Sequence, residues 1–391
     1  MEGLGVRGCL DGIRVLELAR YQAGPRAGLL MSDMGAEVIK VEKVGGEETR
    51  HHGPFVNGTS VYFTAYNRGK KSITLNMRSE EGKGLFRELV KGADIVLENF
   101  RPGVIARMGF AYEDLKKIKP DIILTSVSGF GQYGPYRDRP AFDPIGQAMS
   151  GLMQVTGLAE GHPVLTGSPV IDRVTALHAC IGTLGALFHR QVTGEGQVVE
   201  VSLLDSGITL TEIPLSHYLG TGIGPEDYYK SVYKTQNGHV IITVTSRQLW
   251  TRLLNAMGRS DLAQDPSYLG MTAEADKQEE RAALVREWAA SRKVDEIVQI
   301  LVEAEVPVGP VQTIPEMAQD PHLKAREMLV EVPNEDGSGT IMAPGLSIKV
   351  SKTKGTVGKV PAPGEHNQEI LGGLPGMTPQ HMAELEKTGV I

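Results

Sequence analysis

Ile13-Arg14-Val15-Leu16-Glu17-Leu18, then Pro25 and the apolar stretch 27–34, then Gly35 and Ala36-Glu37-Val38-Ile39-Lys40-Val41, decide the fold. The first run is β-rich, Pro25 stands where a helix begins, and Gly35 stops that helix before a second β-rich run. Outward from there, 71–77 reads as extended. Ser79 is placed to cap a helix to residue 91, with Leu85, Phe86, Leu89 and Val90 at helical spacing. Segment 94–97 reads as a strand, 112–117 as a short helix, and 121–127 as another strand after Pro120. Strands alternating with helices of this size predict a doubly wound, mostly parallel α/β sheet of Rossmann-like type.

Between 129 and 167 the pattern breaks into Gly/Pro-rich loops around one apolar segment, 145–153. Asp172 heads a long helix whose Val174, Leu177, Ile181, Leu184 and Phe188 make one apolar stripe, with Gly194 past its end. A strand at 197–204 follows. The expected organisation is then a large domain over 1–213, a linker or loop at 214–230, a smaller α/β domain at 231–320 and a C-terminal segment, 321–391. The small domain carries a hairpin signal at Asn237-Gly238 and helical spacing at 249–257 and 281–304.

The chain has 391 residues, with 40 Lys and Arg against 47 Asp and Glu, a net charge of −7 that speaks against a chain-wide nucleic-acid binder. Cys9 and Cys180 are too few for a zinc site or a disulfide framework, which fits a reducing cytoplasm. Residues 1–10 lack an apolar signal core, and the apolar stretch 179–188 is too short to span a bilayer. The expectation is a cytoplasmic protein with no membrane and no nucleic-acid partner.

Gly129-Phe130-Gly131-Gln132-Tyr133-Gly134 matches the dinucleotide fingerprint, but Pro135 and Pro140 follow where a phosphate-binding helix has to start. His51-His52 is adjacent rather than at ligand spacing, and no metal-binding motif occurs. Three other stretches combine polar groups with Gly. Tyr21-Gln22-Ala23-Gly24-Pro25 forms the first strand-to-helix turn, the end of an open sheet where ligands bind. Lys43, Arg68, Lys70, Lys71, Arg78, Arg101 and Arg107 gather near strand ends, either as a solvated face or as a site for a phosphate-bearing anion. Asp172 is either a plain helix cap or a carboxylate kept ionised by the helix end, able to attack an activated acyl group.

Leu10-Asp11-Gly12-Ile13-Arg14-Val15-Leu16-Glu17, Gln22-Ala23-Gly24-Pro25 and Gly35-Ala36-Glu37-Val38-Ile39-Lys40-Val41-Glu42 resemble the opening of the type III CoA-transferases. This is the CaiB/BaiF family, which includes formyl-CoA transferase. The resemblance continues through Asn67-Arg68-Gly69-Lys70-Lys71, Glu98-Asn99-Phe100-Arg101-Pro102-Gly103, Phe142-Asp143-Pro144, Val306-Pro307-Val308-Gly309-Pro310-Val311 and Pro363-Gly364-Glu365-His366-Asn367.

The resemblance implies that Asp172 is the catalytic nucleophile and that Gln22 orients acyl or aspartyl groups beside it. By the same match, Tyr21, Ala23, Lys43, Leu75, Arg78, Asn99, Phe100, Arg107 and Met108 line a coenzyme A site. Phe142 and Asp143 match an aromatic–acidic pair near the active site. CoA is then a carrier passed from an acyl-CoA to a carboxylic acid, with no metal or redox cofactor. The family also implies a large Rossmann-like domain built from both chain ends and an interlocked homodimer. Its glycine-rich active-site loop has its nearest counterpart at 220–230. The alternative within the superfamily is an alpha-methylacyl-CoA racemase, which needs a second acid–base group; residues 131–147 hold no histidine to supply it. A CoA-binding protein without turnover is the alternative from another class.

Overall fold

A computed structural model describes residues 8–225, 231–265 and 275–391. Six strands form its main sheet: β1 (Arg14–Glu17), β2 (Glu37–Glu42), β3 (Lys71–Thr74), β4 (Ile95–Glu98), β5 (Ile123–Ser128) and β6 (Val198–Ser202). Their order is β3-β2-β1-β4-β5-β6, and every pairing is parallel. The order reverses between β1 and β4, so a crevice opens beyond the carboxyl ends of those two strands.

The helices used below are α1 (Ala23–Asp33), α2 (Val61–Asn67), α3 (Glu80–Lys91), α4 (Asp143–Met149), α5 (Val170–Thr193) and α6 (Glu212–Thr221). One face of the sheet buries Leu16, Ile39, Ile73 and Val96 against α3 and against Leu371, Leu385 and Ile391 of the returning C-terminus. The other buries Val15, Val38, Ile95 and Ile123 against α1 and α5. Burial of each such side chain contributes about 1.5–3 kcal/mol. Ser79 caps α3 as its sequence predicts, its Oγ accepting the Gly82 N–H at 3.0 Å.

Two expectations need correction. The apolar stripe of α5 is not its buried face: Leu177, Ile181 and Phe188 are 47%, 64% and 69% exposed. The buried positions are mostly small, Thr175, Ala176, Ala179, Cys180, Thr183 and Ala186, because only small side chains let α5 lie close on α1 and the sheet. α5 is also the one helix among the described residues long and apolar enough to cross a bilayer, longer than the 179–188 stretch suggested. The second correction concerns 214–230, expected as a linker or loop. Residues 212–221 are helical, with Gly222 as a left-handed C-cap. Residues 226–230 lie outside the described residues.

The chain divides into two compact units, Met1–Pro225 with His322–Ile391, and Glu226–Pro321. The second contains an antiparallel sheet of Val232–Lys234, His239–Ile242 and Val308–Pro310. Its core joins Val240 and Ile242 to Leu253, Val285, Trp288, Ile297 and Leu301. The first two strands turn at Asn237-Gly238, as their sequence predicts.

Candidate active site

The chain leaving β1 must turn sharply to enter α1, and it does so at the crevice. The Arg20 N–H donates to Asn99 Oδ1 at 2.8 Å, and Asn99 Nδ2 returns a bond to the Arg20 carbonyl at 2.7 Å. This clamp from the end of β4 holds Tyr21 at φ 67°, a left-handed conformation rare for a bulky residue. Gln22 and Ala23 then open α1. Gly24 is required because a Cβ there would lie 2.4 Å from the Ala19 Cβ. Glu98 holds the neighbouring turn, accepting the Phe100 N–H at 2.7 Å.

Asp172 lies in the first turn of α5, partly buried. Its N–H donates to Asp143 Oδ1 at 3.0 Å, while Asp143 Oδ2 accepts from Gln147 Nε2 at 2.5 Å. Gln147 in turn accepts from the Thr166 N–H and hydroxyl, both at 3.0 Å, tying α4 to the loop before α5. The helix end does not keep Asp172 fully ionised. Burial first, and the Asp143 carboxylate second, push its pKa up to about 7, with Arg173 opposing them.

Three cavities adjoin these residues. One of about 400 Å³ is lined by Tyr62, Asp143, Gln147, Leu165, Thr166 and Pro169. A second, about 380 Å³, is lined by Arg20, Ala23, Asn99, Arg101, Arg139 and Leu203. Tyr21, Gln22, Phe142 and Asp172 border both. A third, about 750 Å³, shares Arg20, Phe100 and Val104 with the second and adds Lys43, Leu75, Arg78 and Met108. Arg107 lines none of the three. Asn99 borders the second cavity with both ends of its amide already bonded to Arg20.

The basic residues near strand ends separate into two groups. Lys70 is fully buried, 2.8 Å from Glu17 and bonded to the Pro25 carbonyl. Arg68 grips Asp33 with contacts of 2.6 and 3.1 Å, and Lys71 bridges Glu37 and Glu369. These three belong to the framework, neither a solvated face nor an anion site, because each meets a carboxylate from another element. Lys43 shares Glu48 with Arg20 at the cavity edge.

Sequence reasoning missed Tyr62, Tyr66, Gln147 and Thr166. The Tyr66 hydroxyl donates to Gln22 Oε1 at 2.8 Å. Tyr21, His52, Tyr62 and Tyr66 form a chain of ring contacts, with Phe142 at 5.6 Å from Tyr21. The available signal was the i, i+4 spacing of Tyr62 and Tyr66, which places both on one helical face. The fingerprint-like loop after β5 runs through turns until α4 begins at Asp143.

The family model for CoA-transferase family III matches residues 10–367. The succinyl-CoA–D-citramalate CoA-transferase of Chloroflexus aurantiacus is 38% identical over 394 residues, covering 98% of each chain. The formyl-CoA:oxalate CoA-transferase of Streptomyces coelicolor is 33% identical over 407 residues, covering 98% of this chain and 99% of its own. The crystal structure of a CaiB/BaiF family protein from Brucella suis matches with a TM-score of 0.81 at 34% identity, covering 93% of this chain and 98% of that one. These relatives are CoA-transferases and do not favour the racemase alternative; among the described residues, no histidine lines the two cavities that Asp172 borders. The chain belongs to CoA-transferase family III and is a CoA-transferase.

Proposed function

We propose that the protein moves coenzyme A from an acyl-CoA to a free carboxylic acid through covalent intermediates on Asp172. One observation carries this reading: Asp172, with Tyr21, Gln22 and Phe142, stands between two cavities. The side continuous with Lys43, Leu75, Arg78, Phe100 and Met108 suits CoA, and the other suits the acyl group or free acid.

An Asp172 oxygen attacks the thioester carbonyl, the C–S bond breaks, and CoA leaves as a thiolate. The thiolate attacks the aspartyl carbonyl of the mixed anhydride and expels the first acid as a carboxylate. The incoming carboxylate then attacks the aspartyl thioester, giving a new anhydride and thiolate. The thiolate captures the new acyl group, and Asp172 is restored. A carboxyl with a pKa near 7 is more basic than an ordinary aspartate, hence a stronger nucleophile when ionised. The bond from the Tyr66 hydroxyl to Gln22 Oε1 supports a role for the Gln22 amide N–H as donor to oxygens of the aspartyl or acyl group.

Relatives named for succinyl-CoA, citramalate and oxalate support short dicarboxylic acids as the substrate class. The exposed stripe of α5, and Ile213 and Leu219 of α6 at 70% and 75% exposure, support burial against a second copy in an interlocked homodimer. The test is transfer of CoA from a panel of acyl-CoA donors to labelled acids. Product formation by the parent and its loss in Asp172→Ala is the expected result; near-normal turnover in that variant contradicts the mechanism.

A further inference from the structure

The cavity of about 750 Å³ is lined by three cations, Arg20, Lys43 and Arg78, and by three carboxylates, Glu42, Glu47 and Glu48. Two of the carboxylates are buried and committed elsewhere. Glu42 takes Arg50 with contacts of 2.6 and 2.8 Å, and Glu47 takes Lys40 at 2.8 Å. Glu48 is different. Its partners are the cavity's own cations, Lys43 Nζ at 2.7 Å and an Arg20 nitrogen at 3.4 Å. Arg20 also borders the neighbouring cavity beside Asp172, so this cluster stands where the two cavities join.

The backbone that carries Glu48 is held from both sides. Glu48 opens a short 3-10 turn, Glu48–His51, with Glu47 pinned to Lys40 before it and Arg50 pinned to Glu42 within it. Both ion pairs are almost fully buried, and breaking either strands a charge in the interior, so the turn cannot readily withdraw Glu48 from the cavity. The Lys43 hydrogen bond, first among several causes, holds the Glu48 carboxyl below the usual glutamate range, and it is ionised at neutral pH.

We infer that Glu48 is an internal counter-ion of the nucleotide pocket, holding Lys43 and Arg20 in the ligand-free protein and competing with the CoA phosphates for them. The inference rests on CoA occupying this cavity. A carboxylate kept beside the phosphates lowers their affinity, and so eases departure of the finished acyl-CoA. The side chains of Arg20, Lys43 and Glu48 are 40–58% exposed, so solvent and salt screen the effect, which is expected to be about tenfold in affinity.

The test is calorimetric titration of the full-length protein with CoA at low and high salt. Glu48→Gln keeps the shape and removes the charge. It is expected to bind CoA about tenfold more tightly than the parent, with most of the gain lost at high salt. Glu48→Ala is expected to act in the same direction, and thermal melts establish that each variant is folded. Unchanged or weaker binding in both variants overturns the counter-ion role, as does a gain that salt does not diminish. Lys43→Gln and Arg78→Gln separate this result from the reading beneath it, since each is expected to weaken CoA binding about tenfold. If both bind CoA as the parent does, CoA does not occupy this cavity, and the role of Glu48 falls with that assignment. If both bind more weakly while the Glu48 variants match the parent, the cavity stands and Glu48 alone loses its role.

Discussion

The Asp172 N–H donates to Oδ1 of Asp143 at 3.0 Å, setting two carboxyl groups side by side at the mouth of the sheet crevice. Asp143 thereby positions Asp172 and raises its proton affinity at once.

Asp172 loses its proton as pH rises through about 7, so kcat/KM for acyl-CoA is expected to climb across neutral pH. Asp143→Asn removes the like charge and is expected to move that midpoint to lower pH. The new amide also faces the Gln147 donor, so Gln147 must turn away from Thr166, and kcat is expected to fall about tenfold or more. A pH–rate series on both proteins checks this, and an unmoved midpoint contradicts it.

The same shift makes Asp172 a burden on the fold. Its folded pKa lies above the unfolded value, so its contribution to stability is fully present below about pH 4 and is lost as pH rises through about 7. Asp172→Asn does not titrate. It is expected to melt a few degrees higher than the parent at pH 8, at about 2–4 °C per kcal/mol regained, with the two curves converging near pH 4. Calorimetry at the two pH values decides; a variant less stable at pH 8 contradicts the assignment.

Asn99→Ala removes both bonds that hold Arg20 ahead of the strained Tyr21. The expected outcome is a loss of about 0.5–1.5 kcal/mol, because water reaches the Arg20 groups that lose their partner. A rise of about tenfold in KM for acyl-CoA is expected with it, because the turn lines the second cavity. Denaturant melts and steady-state kinetics measure the two effects, and a stability loss without a KM change confines Asn99 to the fold.

The strands were legible because each is a short apolar run closed by a turn signal, and Ser79 with Leu85, Phe86 and Leu89 marked α3 unambiguously. What was not legible is which face of α5 meets the core. Its large residues look like the buried stripe, yet close packing on the sheet selects Thr175, Ala176, Ala179 and Thr183 instead. Lys70 and Arg68 carried the same composition signal as Lys43, and only the positions of Glu17 and Asp33 in space separate framework charges from cavity charges. The turn at Tyr21 and Gln22 was placed correctly, but Tyr66, the partner of Gln22, is 44 residues along the chain, and its i, i+4 spacing from Tyr62 marks a helical face without telling what that face meets.

The exposed Ile181 and Phe188 predict a subunit contact. Sedimentation of the parent is expected at twice the chain mass, and Ile181→Glu with Phe188→Glu is expected to yield monomers or to fail assembly. A monomeric parent contradicts the dimer.

Peptide mass spectrometry after borohydride treatment of enzyme turning over an acyl-CoA reads out the covalent role of Asp172. The aspartyl thioester is expected to be reduced, so that position 172 is recovered as homoserine only when acyl-CoA was present. Unmodified Asp172 in an enzyme shown to transfer CoA under the same conditions contradicts it.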